Sequence, residues 1–198
     1  MSKERHGHAA GPAARLGGVA ASEGEEIEGE EMTDEALVRE VRLDDAEALV
    51  AILNPIIAAR TYTVLDTPLS VAAEAAYIRG FPARGVFVVA ESRSAGVVAV
   101  QSIEPFADYT AALQHVGVIG TFVALQARRR GLGSLLCAAS VPLARAKGFR
   151  KLLTYVRADN PAALAFYAEQ GFRVVGTAVA QAQIDGVFLD EVIIERQL

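Results

Sequence analysis

Phe122-Val123-Ala124-Leu125-Gln126-Ala127-Arg128-Arg129-Arg130-Gly131-Leu132-Gly133-Ser134-Leu135-Leu136 is the stretch on which the fold of this chain turns. A charge-poor run stops at three arginines. Gly-Leu-Gly follows, and then residues that suit a helix. A strand passing through a glycine turn into a helix builds an anion site. The helix N-terminus presents N–H groups without intrahelical partners and the positive end of the dipole. Gly131 and Gly133 leave room for an anion to approach the backbone, and the arginines add charge at the rim. A P-loop needs Lys and then Ser or Thr after its last glycine, and no lysine follows here. A dinucleotide fingerprint needs a third glycine where Leu136 stands. The third pattern, Arg/Gln-x-x-Gly-x-Gly/Ala, fits Arg128 to Gly133 throughout.

Outward from this turn the chain alternates strands and helices. Val38 to Leu43 reads as a strand, and Asp44 is placed to cap the helix that carries Leu49, Ile52, Leu53 and Ile56 on one face. Pro55 should kink or end that helix. After a turn-like stretch, Thr61 to Pro68, Ser70 caps a second helix ending by Gly80. Val86–Ala90 and Gly96–Ile103 form a hairpin, and His115–Val123 is the strand that enters the glycine turn. The helix after it runs to about Ala146, with a kink expected at Pro142. Lys151–Val156 is a strand, Asn160–Gln170 a helix, and Asp185-Gly186 joins the two closing strands. The order β-α-α-β-β-β-α-β-α-β-β predicts an α/β domain, a mixed central sheet with helices on both faces.

The 198 residues suffice for one domain with a tail. Residues 1–35 carry three basic and nine acidic side chains, a net −6, whereas residues 36–198 carry sixteen basic and fifteen acidic, a net +1. The first segment is too poor in apolar groups to offset the entropy of ordering it. It is expected to be a disordered acidic tail, with the folded domain at 36–198. His6 and His8 within it are a weak metal signal, and no metal is expected. A nearly neutral domain argues against a nucleic-acid partner for Arg128–Arg130. The chain lacks an apolar run long enough for a membrane span. The single cysteine, Cys137, excludes an internal disulfide and suits a buried core position in a cytoplasmic protein.

A second signature accompanies the glycine turn. Asn160-Pro161-Ala162-Ala163-Leu164-Ala165-Phe166-Tyr167-Ala168-Glu169-Gln170-Gly171-Phe172 combines a helix-capping Asn, Pro at the first helical position, an aromatic pair and a closing Gly-Phe. With Arg128–Gly133, this resembles the GNAT superfamily of N-acetyltransferases over roughly residues 37–198. Within that superfamily, Ile52–Ile57, Thr61–Pro68 and Phe188–Glu191 resemble the phosphinothricin and L-amino-acid acetyltransferases. The resemblance implies the acyl-CoA N-acyltransferase fold, with acetyl-CoA as donor and the primary amine of a small molecule as acceptor. It implies that backbone groups of Phe122 and Val123 pair with the pantetheine arm. The pyrophosphate would lie on Arg128, Arg129, Arg130, Gly131, Leu132, Gly133 and Ser134. Asn160 would contact the cofactor, and Tyr167 would protonate the leaving thiolate.

The chain also departs from that pattern. Many members have Pro where Leu125 stands and Gly where Arg129 stands. The phosphinothricin-like group has a Glu, taken as a base acting through water, where this chain has Val118. Glu104, Asp108 and His115 are the nearby titratable groups, and Glu104 is the first candidate for the base. Tyr167 with Ala163 and Phe166 would also suit a packing stripe. Two other functions fit the same motifs: acetylation of a protein N-terminus or lysine, and a degenerate acyl-CoA-binding module. A homodimer is compatible with all of them.

Overall fold

The computed structural model describes residues 36–198. The expected acidic tail, residues 1–35 with His6 and His8, lies outside them. The elements follow the expected order. They are β1 Ala36–Glu40, α1 Ala46–Ala58, α2 Val71–Gly80, β2 Val86–Ser92, β3 Gly96–Pro105, β4 Val116–Val123, α3 Leu132–Ala146, β5 Lys151–Arg157, α4 Pro161–Glu169, β6 Arg173–Ile184 and β7 Val187–Gln197. One seven-stranded sheet runs β1-β2-β3-β4-β5-β7-β6. Every neighbouring pair is antiparallel except β4 and β5.

Strand β2 explains why both faces are covered. Val86, Val88 and Ala90 join Ile103, Ile119 and the α3 residues Leu136, Val141 and Ala144 in the larger core. Phe87 and Val89, pointing the other way, join Leu49 of α1 and Val100, with Ile78 and Phe81 from the α2 end. A strand apolar on both sides is what a sheet between two helical layers requires.

The start of α1 differs from the sequence expectation. β1 ends at Glu40, a 3-10 turn spans Leu43–Asp45, and Asp45 rather than Asp44 stands at the cap position. The reason is tertiary. Arg39 grips Asp45 with two guanidinium N–H groups at 2.7 and 2.8 Å, and the Arg42 N–H donates to the same carboxylate at 2.6 Å. Asp44 has no such partner on β1 and stays exposed. Pro55 lies inside α1, which continues to Ala58, and α3 likewise runs through Pro142 to Ala146. The Asp185-Gly186 turn is as expected, with φ of 50° and 80°.

The Arg39 guanidinium beside Asp45 holds its carboxyl below the usual range. A depressed carboxylate stabilises the fold above its unfolded value, about 3.9, and the contribution is lost as pH falls through the folded value. Asp45→Asn is therefore expected to lower stability at neutral pH and to converge with the parent protein in strong acid. Urea unfolding followed between about pH 2 and pH 7 measures this; a constant gap at every pH would refute it.

Candidate active site

The site begins where β4 and β5 part. Both strands run on, but their ladder is confined to Val116–Val118 against Lys151–Leu153. Beyond Val118, β4 stays paired with β3 on its other edge, up to Val123 with Ala99. The edge of β4 from Ile119 to Val123 thus lacks a β5 partner, so its outward backbone groups are available to a bound chain.

A cavity of about 440 Å³ opens there. Its walls include Thr121, Phe122 and Val123 of β4, Arg128 to Ser134 except Arg130, and Asn160, Phe166 and Tyr167 of the α4 region. The glycine turn forms one end. Gly131 is the N-cap of α3 with φ 75°, and Arg129 has φ 61°. The left-handed φ at Arg129 is one that only glycine adopts without steric cost, which agrees with the Gly that the resemblance implies at this position. The N–H groups of Leu132, Gly133 and Ser134 begin the helix, so no residue of α3 accepts from them. They point at the cavity end with the dipole behind them. Arg128 is tied to the strand end: its Nε donates to the Val123 carbonyl at 3.4 Å, and its guanidinium stacks over Tyr62 at 3.9 Å.

Arg130 departs from the expectation of three phosphate-binding arginines. The left-handed turn at Arg129 sends it elsewhere, to a second cavity of about 800 Å³ with Ala36, Ile52 and Leu135. Its side chain is absent from the wall of the first cavity.

Asn160 caps α4: its Oδ1 accepts from the Ala163 N–H at 3.1 Å, and Pro161 fills the first helical position. Its Nδ2 reaches the Tyr62 carbonyl at 3.5 Å. Gly133 and Phe166 fix how closely α3 and α4 approach. A Cβ at Gly133 would stand 2.7 Å from the Phe166 ring. Tyr167, 6% exposed, packs edge-on to Phe172 at 5.1 Å, and its hydroxyl donates to Thr121 Oγ1 at 3.2 Å. Burial above all pushes the Tyr167 phenol up to about 12. The group is thus protonated at neutral pH, with its oxygen at the cavity wall.

Glu104 does not line this cavity. It lies on β3 directly across from Val118, and residues directly opposite in an antiparallel pair share a face. Its carboxylate therefore neighbours position 118, where the resemblance implies a Glu. The Tyr77 hydroxyl of α2 donates to it. From Thr121 it is three register steps along the sheet, roughly 10 Å at about 3.3 Å per residue. Asp108 and His115 are exposed and away from the cavity wall.

Sequence reasoning missed Thr121, Tyr62 and Arg157. Arg157 is 5% exposed. It holds Asp159 through two bonds of 2.9 and 2.6 Å and donates to the Arg60 carbonyl at 2.7 Å. It thereby fastens the segment bearing Tyr62 beside the cavity. Its only signal in the sequence is a charged residue closing an apolar strand.

Known proteins place this geometry. A Bacillus subtilis (strain 168) protein, named provisionally as the phosphinothricin acetyltransferase YwnH, is 28% identical over 154 residues, 78% of this chain and 94% of that protein. The L-methionine sulfoximine/L-methionine sulfone acetyltransferase of Pseudomonas aeruginosa PAO1 is 24% identical over 159 residues, 78% of this chain and 90% of that protein. A Sinorhizobium meliloti phosphinothricin acetyltransferase, solved in complex with acetyl-CoA, shares the fold with a TM-score of 0.76 at 22% identity, covering 82% of this chain and 88% of that one. Residues 56–172, from α1 through the end of α4, match the acetyltransferase (GNAT) family. The chain belongs to that family, and it is an acetyl-CoA-dependent acetyltransferase.

Proposed function

We propose that the protein acetylates the primary amine of a small, amino-acid-like molecule. The parted edge of β4 carries this reading: it ends at a glycine turn on one side and faces the Tyr167 hydroxyl on the other. The residues present fit the donor. The outward backbone groups of Thr121 and Val123 suit the amides of a pantetheine arm, whereas those of Phe122, expected to share that role, turn to Val100 of β3. The N–H groups of Leu132, Gly133 and Ser134, with Arg128, Arg129 and the turn at Gly131, suit a pyrophosphate. Asn160 stands beside them. Bound acetyl-CoA supplies a thioester carbonyl activated for direct attack by an amine.

In this reading Tyr167 holds the proton that the departing sulfur needs. Glu104 is the base. It lies on the α1 and α2 side of the sheet and draws the proton of the acceptor's ammonium through water, since the separation exceeds a hydrogen bond. Glu104→Gln should lower kcat/KM about tenfold at neutral pH and recover at high pH, where the amine loses its proton unaided. A pH profile parallel to that of the parent enzyme would remove Glu104 from the mechanism.

The acceptor class follows the relatives named above. Supporting the wider reading, Cys137 is a free, buried thiol that suits the cytoplasm. The edge strand β6, charged only at Arg173, exposes Val174, Val175 and Val179 and suits a homodimer.

The test is calorimetric titration with acetyl-CoA, with NADPH and ATP as controls, and then thiol release with a panel of amines. The panel includes phosphinothricin, L-methionine sulfoximine, and peptides offering a free N-terminus or a lysine. Selective acetyl-CoA binding with turnover on the small amines supports the proposal. Turnover on the peptides alone makes it a protein acetyltransferase. Binding without turnover on any amine makes it an acyl-CoA-binding module.

A further inference from the structure

Beneath Tyr167 lies a buried polar chain that the reaction scheme above does not use. Gln101 of β3 is fully buried, and so is Ser140 of α3. The Ser140 hydroxyl donates to Gln101 Oε1. Gln101 Nε2 donates to Thr121 Oγ1 at 2.8 Å and to Cys137 Sγ at 3.3 Å. Thr121 Oγ1 then accepts from the Tyr167 hydroxyl at 3.2 Å. Both donors and the acceptor of the Gln101 amide are used, so its plane is set by three partners on two elements. A fully satisfied polar chain in an apolar core is costly to assemble, and it holds each member in one orientation.

Its chemical use follows from where it ends. A phenol held at about 12 is a weak donor to a thiolate, whose ordinary value is about 8.5. The transfer is eased by groups that stabilise the phenolate it leaves. Thr121 offers two: its hydroxyl and its backbone N–H, and both favour the ionised Tyr167. The backbone N–H is available because the β4–β5 ladder has already ended. The hydroxyl is available because Gln101 occupies one lone pair of Oγ1 and leaves the hydrogen free to turn.

We propose that Gln101 is a positioning residue for the proton donor: by donating to Thr121 Oγ1, it presents the Thr121 hydroxyl to Tyr167 as the proton leaves. As the C–S bond of the thioester breaks, its electron pair goes to sulfur. The Tyr167 O–H bond breaks, an S–H bond forms, and the charge passes to the phenolate oxygen. The Thr121 O–H rotates from acceptor to donor and bonds that oxygen. Tyr167 then recovers a proton from the one released by the attacking nitrogen, through water. This rests on the reading of Tyr167 as the acid.

The test is a double-mutant cycle on the full chain. Gln101→Leu and Thr121→Val are each expected to lower kcat about tenfold, with acetyl-CoA affinity by calorimetry within about twofold. Thr121→Ser, which keeps the hydroxyl, should restore kcat. In a Tyr167→Phe background neither change should lower kcat further. A merely structural role predicts the same loss in both backgrounds, and that result would overturn the inference, as would a loss confined to affinity. If Tyr167→Phe alone keeps full turnover, the acid assignment itself is wrong and this inference falls with it. Should Gln101→Leu fail to fold, Gln101→Met, which keeps the length of the side chain and removes the amide donor, takes its place in the cycle.

Discussion

Tyr167→Phe is expected to lower kcat by about a hundredfold or more, within the usual range for loss of a positioned general acid, while acetyl-CoA affinity changes less than about twofold. The oxygen is the only atom lost. The ring keeps its packing against Phe166 and Phe172, with centroids 4.9 and 5.1 Å away. Thr121 Oγ1 keeps its bond from Gln101. The other neutral donors on the cavity wall do not replace it: the Thr121 hydroxyl is a far weaker acid than a phenol, the Tyr62 ring lies under the Arg128 guanidinium, Asn160 is spent capping α4, and Ser134 accepts from Gln170 at 3.0 Å. Because burial holds the Tyr167 phenol up to about 12, it stays protonated through the neutral range. The parent enzyme should therefore show no fall in kcat from this group below about pH 10. Stopped-flow thiol release, with calorimetry on the same variant, separates the two quantities. Full turnover in Tyr167→Phe would mean that the thiolate departs unprotonated, and that Tyr167 is a packing residue.

The order of elements was legible because each announces itself locally. Short continuous apolar runs mark β2 and β3. The Asn160-Pro161 start and the Gly148 and Gly171 stops, both with positive φ, delimit helices. What was illegible depends on register. Thr121 matters because it faces Gln101 across β3 and β4 and Tyr167 across the cavity, and neither pairing is visible in one strand alone. Glu104 acquires its interest only by standing opposite Val118. Between two adjacent acids, Asp44 and Asp45, the choice was made by Arg39 on another element. Three consecutive arginines look equivalent in a string, yet a left-handed residue between Arg128 and Arg130 divides them between two cavities. Motifs made of backbone geometry survive reduction to a sequence. Constellations made of cross-strand contacts do not.

Gly133→Val tests the backbone motif, and its effect should rival that of losing the Tyr167 oxygen. The second glycine of the turn is required by a neighbour rather than by φ. Even a single methyl at Gly133 would stand 2.7 and 2.9 Å from two atoms of the Phe166 ring, closer than Cβ atoms tolerate. Phe166 cannot yield freely, because its ring lies 4.9 Å from that of Tyr167. Any retreat of α4 from α3 also moves Tyr167, its hydroxyl bond to Thr121, and Asn160 at the helix start. A displacement of about 1 Å at a reacting centre costs on the order of a hundredfold. Overpacking of this kind costs about 1–3 kcal/mol of stability. The expected result is a folded, less stable protein with kcat/KM down about a hundredfold. Phe166→Ala combined with Gly133→Val makes room for the larger side chain, so it should recover part of the activity that the single change removes. That sign distinguishes a steric cause from an electrostatic one. If the double variant is worse than either single one, the glycine serves the approach of the phosphate, and the spacing of α3 and α4 is not what it protects.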